Sequence, residues 1–147
     1  MFKKILVPLD QSVMAEAALP LARGLAEQFG CEVVLFHAIV PVSMQYYSPE
    51  AMPYLAEAEH AKRVESNTYL QRVVSSLLDR GIKAHVVLTE EKSAANSVLD
   101  FVERNAVDLI VMSTHGRSGI GRWLMGSVTD KVIHGARVPL MLVRPEE

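Results

Sequence analysis

Short, nearly continuous apolar runs alternate along the chain with longer stretches in which apolar residues recur every three or four positions. Residues 4–9 are almost unbroken apolar, as a parallel strand covered on both faces requires. Asp10 and Ser12 then supply turn and N-cap chemistry. Ala18, Leu21, Ala22, Leu25 and Phe29 mark one face of a helix that Gly30 stops. Pro20 lies inside that pattern, so a kink or one lost backbone hydrogen bond is expected there. Residues 32–39, built around Val33-Val34-Leu35-Phe36, form a second buried strand. Pro41, Pro49 and Pro53, with Tyr46, Tyr47 and Tyr54 among them, mark a long connection that is not regular throughout. Connections of this length in compact domains serve as lids or binding loops, or are mobile.

From about residue 56 to 79 a long helix presents Leu70, Val73, Val74, Leu77 and Leu78 on one face, and Gly81 closes it. The third strand, 83–89, alternates less cleanly. Ser93 is placed to cap a helix carrying Ala95, Val98, Leu99 and Val102 that ends near Asn105. The fourth strand, 108–112, is the most hydrophobic; a Gly-rich stretch over 113–125 follows, then a short helix from Ser127 with Val128 and Val132 on one side. Pro139 opens the last strand, 139–143, where no ladder donor is needed. Strands alternating with helices predict right-handed crossovers and an α/β fold, a five-stranded parallel sheet with helices on both faces. One domain over 1–147 is expected, with no internal repeat.

Composition narrows the classes of partner. Fifteen Lys+Arg against 17 Asp+Glu leave a formal net charge of −2, too little for a protein held to nucleic acid or a membrane surface by a basic field. No apolar run approaches the ~20 residues of a bilayer span. The N-terminal apolar run ends at Pro8 and Asp10, too soon for a signal-peptide core. Half of the residues are hydrophobic, enough for a core without disulfides, and Cys31 has no second cysteine to bridge. A soluble, cytoplasmic protein is the expectation.

In an open parallel sheet, ligands sit at the carboxyl ends of the strands where strand order reverses. If the first strand is central, that crevice lies between strands 1 and 4, among Pro8-Leu9-Asp10 and Met112-Ser113-Thr114-His115-Gly116. Gly116 and Gly126 let a backbone approach an anion, and Ser127 opens a helix whose free N–H groups attract negative charge. Arg117 and Arg122 could add charge-assisted hydrogen bonds, although Arg122 and Trp123 suit a solvated loop or a subunit contact better than a ligand contact. Ser127 and Asp130 also match the S-x-x-D capping box, which by itself explains a serine there. Both readings stand on sequence.

Other chemistry fails on context. Gly116-x-x-Gly119-x-Gly121 has the wrong spacing for the dinucleotide fingerprint and follows the fourth strand, and no P-loop motif occurs. Asp10 alone after strand 1 and Thr89 after strand 3 do not make the acidic site of a phosphate-accepting receiver domain. The five histidines show no metal-ligand spacing, and isolated histidines such as His37 suit core or surface roles. His115 stands apart because it lies in the Gly-rich loop. No nucleophile, base and acid assemble into a catalytic set.

The segment Met112-Ser113-Thr114-His115-Gly116, nine residues, then Gly126-Ser127-Val128 resembles the nucleotide-binding signature of the universal stress protein family, G-x-x-G-(nine residues)-G-[ST]. Lys3-Lys4-Ile5-Leu6-Val7-Pro8-Leu9-Asp10 is similar to that family's first strand, and Val138-Pro139-Leu140-Met141-Leu142-Val143 to its last. The resemblance covers the whole chain. It implies the adenine-nucleotide α-hydrolase-like fold, a Rossmann-like three-layer sandwich, in a cytoplasmic homodimer of the stress response paired through residues 138–143.

For the ATP-binding subclass, the resemblance implies that Pro8, Leu9 and Asp10 line adenine and ribose, with Asp10 on the ribose hydroxyls, and that Ala38 lies beside the base. It places Met112 and Ser113 near the sugar, and Gly116, Arg117, Gly126, Ser127 and Val128 around the phosphates of ATP with its Mg2+. His115, Gly119 and Thr129 complete the expected ligand-binding set. Two departures matter: Ser113 replaces the first signature glycine, and Leu9 stands where the family often has threonine. The expected function is ATP binding as a ligand or switch. The alternatives are a nucleotide-independent interaction module that uses the Tyr-rich loop, and a slow ATPase or phosphotransferase.

Overall fold

The computed structural model describes residues 1–115 and 125–146. Its strands are β1 (Lys4–Pro8), β2 (Glu32–Ile39), β3 (Ala84–Glu90), β4 (Leu109–Ser113) and β5 (Leu140–Val143). Its α-helices are α1 (Val13–Glu16), α2 (Leu19–Phe29), α3 (Met52–Leu78), α4 (Ala94–Arg104) and α5 (Ser127–Gly135). The strands form one sheet in the order β3-β2-β1-β4-β5, with every neighbouring pair parallel. β1 is therefore central, and the chain winds outward from it in both directions.

The apolar runs are buried on both faces because helices cover both. Ile5, Val7, Val33, Leu35, Leu109 and Val111 pack against Ala18, Ala22 and Ala26 of the α2 side and Leu70, Val74 and Leu77 of α3. The alternate residues Leu6, Val34, Phe36, Ile110 and Met112 face Ala95, Val98 and Val102 of α4 and Val132 of α5. Each fully buried aliphatic side chain of this kind contributes about 1.5–3 kcal/mol relative to exposure. Phe36 also meets Phe101 of α4 with ring centroids 5.3 Å apart and tilted.

Several boundaries differ from the sequence pattern for local reasons. The first helical stretch divides into α1 and α2, and Pro20 falls in the first turn of α2. A proline there forfeits no intrahelical bond, so the expected kink is replaced by a fresh helix start. Gly30 ends α2 at φ 68°, a left-handed cap available to glycine at little cost. Pro53 likewise sits in the first turn of α3, which therefore begins four residues before the expected 56, while short 3-10 turns at Met44–Tyr46 and Pro49–Ala51 occupy part of the connection.

Ser93 caps α4 as expected, its hydroxyl accepting from the Asn96 N–H at 3.3 Å. Asp108 lies just before β4; its carboxylate accepts from the Lys3 and Lys4 N–H groups at 2.7 and 2.8 Å, fastening the start of β1. Pro139 likewise precedes β5, and its carbonyl accepts the Ile110 N–H at 3.0 Å.

Candidate functional site

The reversal of strand order lies between β1 and β4, and a cleft opens at their carboxyl ends. It holds about 620 Å³ of atom-free space, part of it open solvent, within the ~300–1,000 Å³ usual for small-molecule sites. The structure brings Pro8, Leu9, Asp10, Ala38, Met112, Ser113, His115, Gly126, Ser127, Val128 and Thr129 to its walls. Gly116, Arg117 and Gly119 lie outside the described residues.

The β1 side of the cleft is held by short-range chemistry. Leu9 donates its N–H to the Phe36 carbonyl at 2.8 Å, the last main-chain tie to β2. Beyond it the His37 Nδ1–H donates to the Leu9 carbonyl at 2.7 Å, so a side chain continues the tie between the two strands. The Asp10 carboxylate accepts from the Ser12 N–H at 3.0 Å and from the Ser12 hydroxyl. Ser12 in turn accepts from the Ala15 N–H at 3.1 Å and caps α1. This chain of bonds fixes the β1–α1 turn, with Asp10 on the cleft wall.

The β4 side is tied to the start of α5 at two places, with further bonds inside residues 113–115. The Ser113 carbonyl accepts from the Thr129 hydroxyl at 3.0 Å in a buried contact. The Ser113 hydroxyl accepts from the His115 N–H at 3.3 Å, and Thr114 Oγ1 and His115 Nδ1 lie 2.9 Å apart. Gly126 donates its N–H to the Thr114 carbonyl at 3.0 Å, so the two ends of the Gly-rich segment meet. The serine that replaces the first signature glycine is thus only 4% exposed, its hydroxyl engaged within the loop.

The N-terminus of α5 overturns the capping reading of Ser127. Gly126 is the N-cap, Ser127 is the first helical residue, and among the described residues no side chain caps the helix. The capping box with Asp130 is not formed, because a capping serine must stand one place earlier, outside the helix. The first-turn N–H groups have no carbonyl partner within the helix, and they border the cleft with only small side chains at Gly126 and Ser127. Such a terminus attracts an anion through its N–H groups and its dipole.

The cleft has two characters. Phe36, Ala38, Val98, Met112 and Val128 make an apolar wall, while Asp10, Ser113, His115 and Ser127 make a polar one. A flat apolar group joined to a polar, anionic chain matches that division. Among the described residues no three His, Cys, Asp or Glu gather as a metal site.

Sequence reasoning missed Ala15, Phe36, His37, Ala94 and Val98 as lining residues. Phe36 and His37 directly precede Ala38, so extending the strand-end rule back along β2 finds them. Ala94 and Val98 reach the cleft only because α4 packs over the sheet there, and no local signal marks them.

Comparison with known proteins agrees with this geometry. The universal stress protein MJ0531 of Methanocaldococcus jannaschii is 33% identical over 144 residues, covering 98% of this chain and 83% of that protein. The solved structure of MJ0577, from the same organism, superposes with a TM-score of 0.89 at 26% identity, covering 100% of this chain and 99% of that one. A universal stress protein of Archaeoglobus fulgidus solved in complex with dAMP shares the fold at a TM-score of 0.67 and 21% identity, covering 97% and 98% of the two chains. Others of this fold are solved with cAMP and with AMP. The sequence model of the universal stress protein family matches residues 1–144, over strands, helices and cleft alike, and the chain belongs to that family.

Proposed function

We propose that this universal stress protein binds an adenine nucleotide, ATP with its Mg2+, in the cleft between β1 and β4, as a ligand or switch in the cytoplasmic stress response. The observation that carries the reading is the start of α5, where the N-cap Gly126 brings no side chain, in one cleft with Asp10 and an apolar wall. The phosphates would lie on the α5 N–H groups, the ribose hydroxyls on Asp10, and the base against Ala38, Val98 and Met112. Mg2+ would be held by the phosphate oxygens. The engagement of the Ser113 hydroxyl with His115 supports the reading, since that substitution then adds little bulk to the cleft. Neighbours of the same fold with dAMP, cAMP or AMP support the ligand class.

β5 is an edge strand, with Leu142 38% exposed. Pairing with the β5 of a second copy would remove that edge, and the homodimer is part of the reading. Saturating Mg-ATP should raise the melting temperature, by mass action equivalent to about 2.7 kcal/mol at a hundredfold excess over Kd. No shift at millimolar ATP, with no adenine nucleotide released from the purified protein, would sink the proposal.

A second reading has its own observation: Tyr46 is 80% and Tyr54 76% exposed, as in a surface for a protein partner that needs no nucleotide. Retention of that partner by a variant unable to bind ATP would favour it.

A further inference from the structure

The residue after Asp10 has an unusual backbone. Gln11 has φ 68°, in the left-handed region that non-glycine residues enter at a cost. Its side chain donates from Nε2 to the Ser66 hydroxyl at 2.5 Å, and Ser66 is fully buried in the middle of α3. The 14 residues of α3 before Ser66 include none that are buried, so this serine is where the helix first enters the body of the protein. One turn further on, the Tyr69 hydroxyl donates to Glu16 Oε1 at 2.7 Å. Ser66 and Tyr69 are three apart and share a helix face, which therefore grips both ends of the segment from Gln11 to Glu16.

Asp10 is thereby enclosed between two side-chain ties. On one side His37 holds the Leu9 carbonyl, and on the other Ser66 holds Gln11. Without the Ser66 tie, Gln11 has no reason to remain left-handed: the amide can solvate elsewhere and the backbone can relax to an ordinary conformation. Relaxation at Gln11 rotates the peptide that follows Asp10 and breaks the local geometry in which Ser12 meets the Asp10 carboxylate.

We propose that Gln11 is a positioning residue for the ligand site: its amide bond to buried Ser66 holds the backbone left-handed, and so holds Asp10 in its orientation across the cleft. This inference rests on the nucleotide reading for its consequence, but the tie itself does not. It also makes α3 part of the site, since a ligand that fixes Asp10 favours the same Gln11–Ser66 contact.

Wild type, Gln11→Gly, Gln11→Ala and Ser66→Ala are to be compared by amide hydrogen exchange over residues 9–15 without ligand, and by ATP titration. Glycine adopts φ 68° freely, so Gln11→Gly removes the tie without the backbone cost and stays folded even where Ser66→Ala does not. Exchange over 9–15 is expected to be at least tenfold faster in Gln11→Ala and Ser66→Ala than in wild type, with ATP affinity about tenfold weaker. Gln11→Gly, which loses the tie but meets φ 68° at no steric cost, is expected to fall less than Gln11→Ala. Wild-type exchange over 9–15 in Gln11→Ala overturns the inference, as does wild-type ATP affinity in that variant, or a Gln11→Gly that falls further than Gln11→Ala. If wild type itself binds no ATP, the function proposed above fails, and the ligand-free exchange comparison still upholds or overturns the tie.

Discussion

His37 Nδ1 lies 2.7 Å from the carbonyl oxygen of Leu9, inside the wall of the cleft, with both residues buried. The imidazole therefore satisfies a carbonyl that the diverging strands leave behind. His37→Leu should strand that carbonyl in an apolar setting, which costs about 1–3 kcal/mol. A fall in melting temperature of roughly 2–12 °C is expected. His37→Asn can present an N–H at a similar place and should recover part of the loss. Denaturation of the three proteins side by side checks this, and equal stability of the Leu and Asn variants would refute the role.

Gly126 caps α5 at φ −58° and ψ 145°, a conformation open to any L-residue. Gly126→Val should therefore fold, while its side chain covers the first-turn N–H groups of α5. The expected outcome is an unliganded melting temperature close to wild type and no rise with Mg-ATP. A rise equal to that of wild type would remove the helix start from the binding site.

Two backbone N–H groups, of Lys3 and Lys4, donate to one oxygen of Asp108 and hold its carboxyl below the usual carboxylate range. A group whose pKa is lowered by folding adds stability above its unfolded value, about 3.9, and loses it as pH falls through the lower folded value. Asp108→Ala should thus be less stable than wild type at neutral pH, and the gap should close on acidification below about pH 4. Urea midpoints measured across that range test the sign. A gap that widens towards low pH contradicts it.

β5 presents an open edge, and Leu142 projects from it partly exposed. Leu142→Lys places a charge where a twin strand would pair. Sedimentation should find wild type as a dimer and the variant as a monomer with its helix content unchanged. A monomeric wild type at tens of micromolar would remove the β5 pairing from the proposal.

Much of the fold is legible in the residues because the strands are covered on both faces. Ile5-Leu6-Val7 and Leu109-Ile110-Val111 are wholly buried, and a run of that kind in a chain of alternating helices permits few architectures. Helix starts were harder to read. Pro20 and Pro53 suggest a kink and an irregular loop when taken as breakers, yet both occupy first turns, where the missing N–H has no helical partner to lose. Asp108 looks like part of the fourth strand, but its carboxylate serves the first strand from just outside.

The residues by themselves determined the succession of elements, the small residues at the start of α5, the acid after β1 and the apolar last strand. These follow from local chemistry: side-chain periodicity, the backbone freedom of glycine and the burial preferences of Val, Ile and Leu. Tertiary structure decided that β1 lies between β2 and β4, pairing Leu6 with Ile110 and so bringing Asp10 into one cleft with Ser113 and Ser127. It also decided that Ser127 stands inside its helix rather than capping it, that His37 and Val98 line the cleft, and that buried Ser66 bonds Gln11. The reason is physical: strand order and side-chain ties depend on how covered faces pack across about a hundred residues of chain, and no window of local sequence contains that packing.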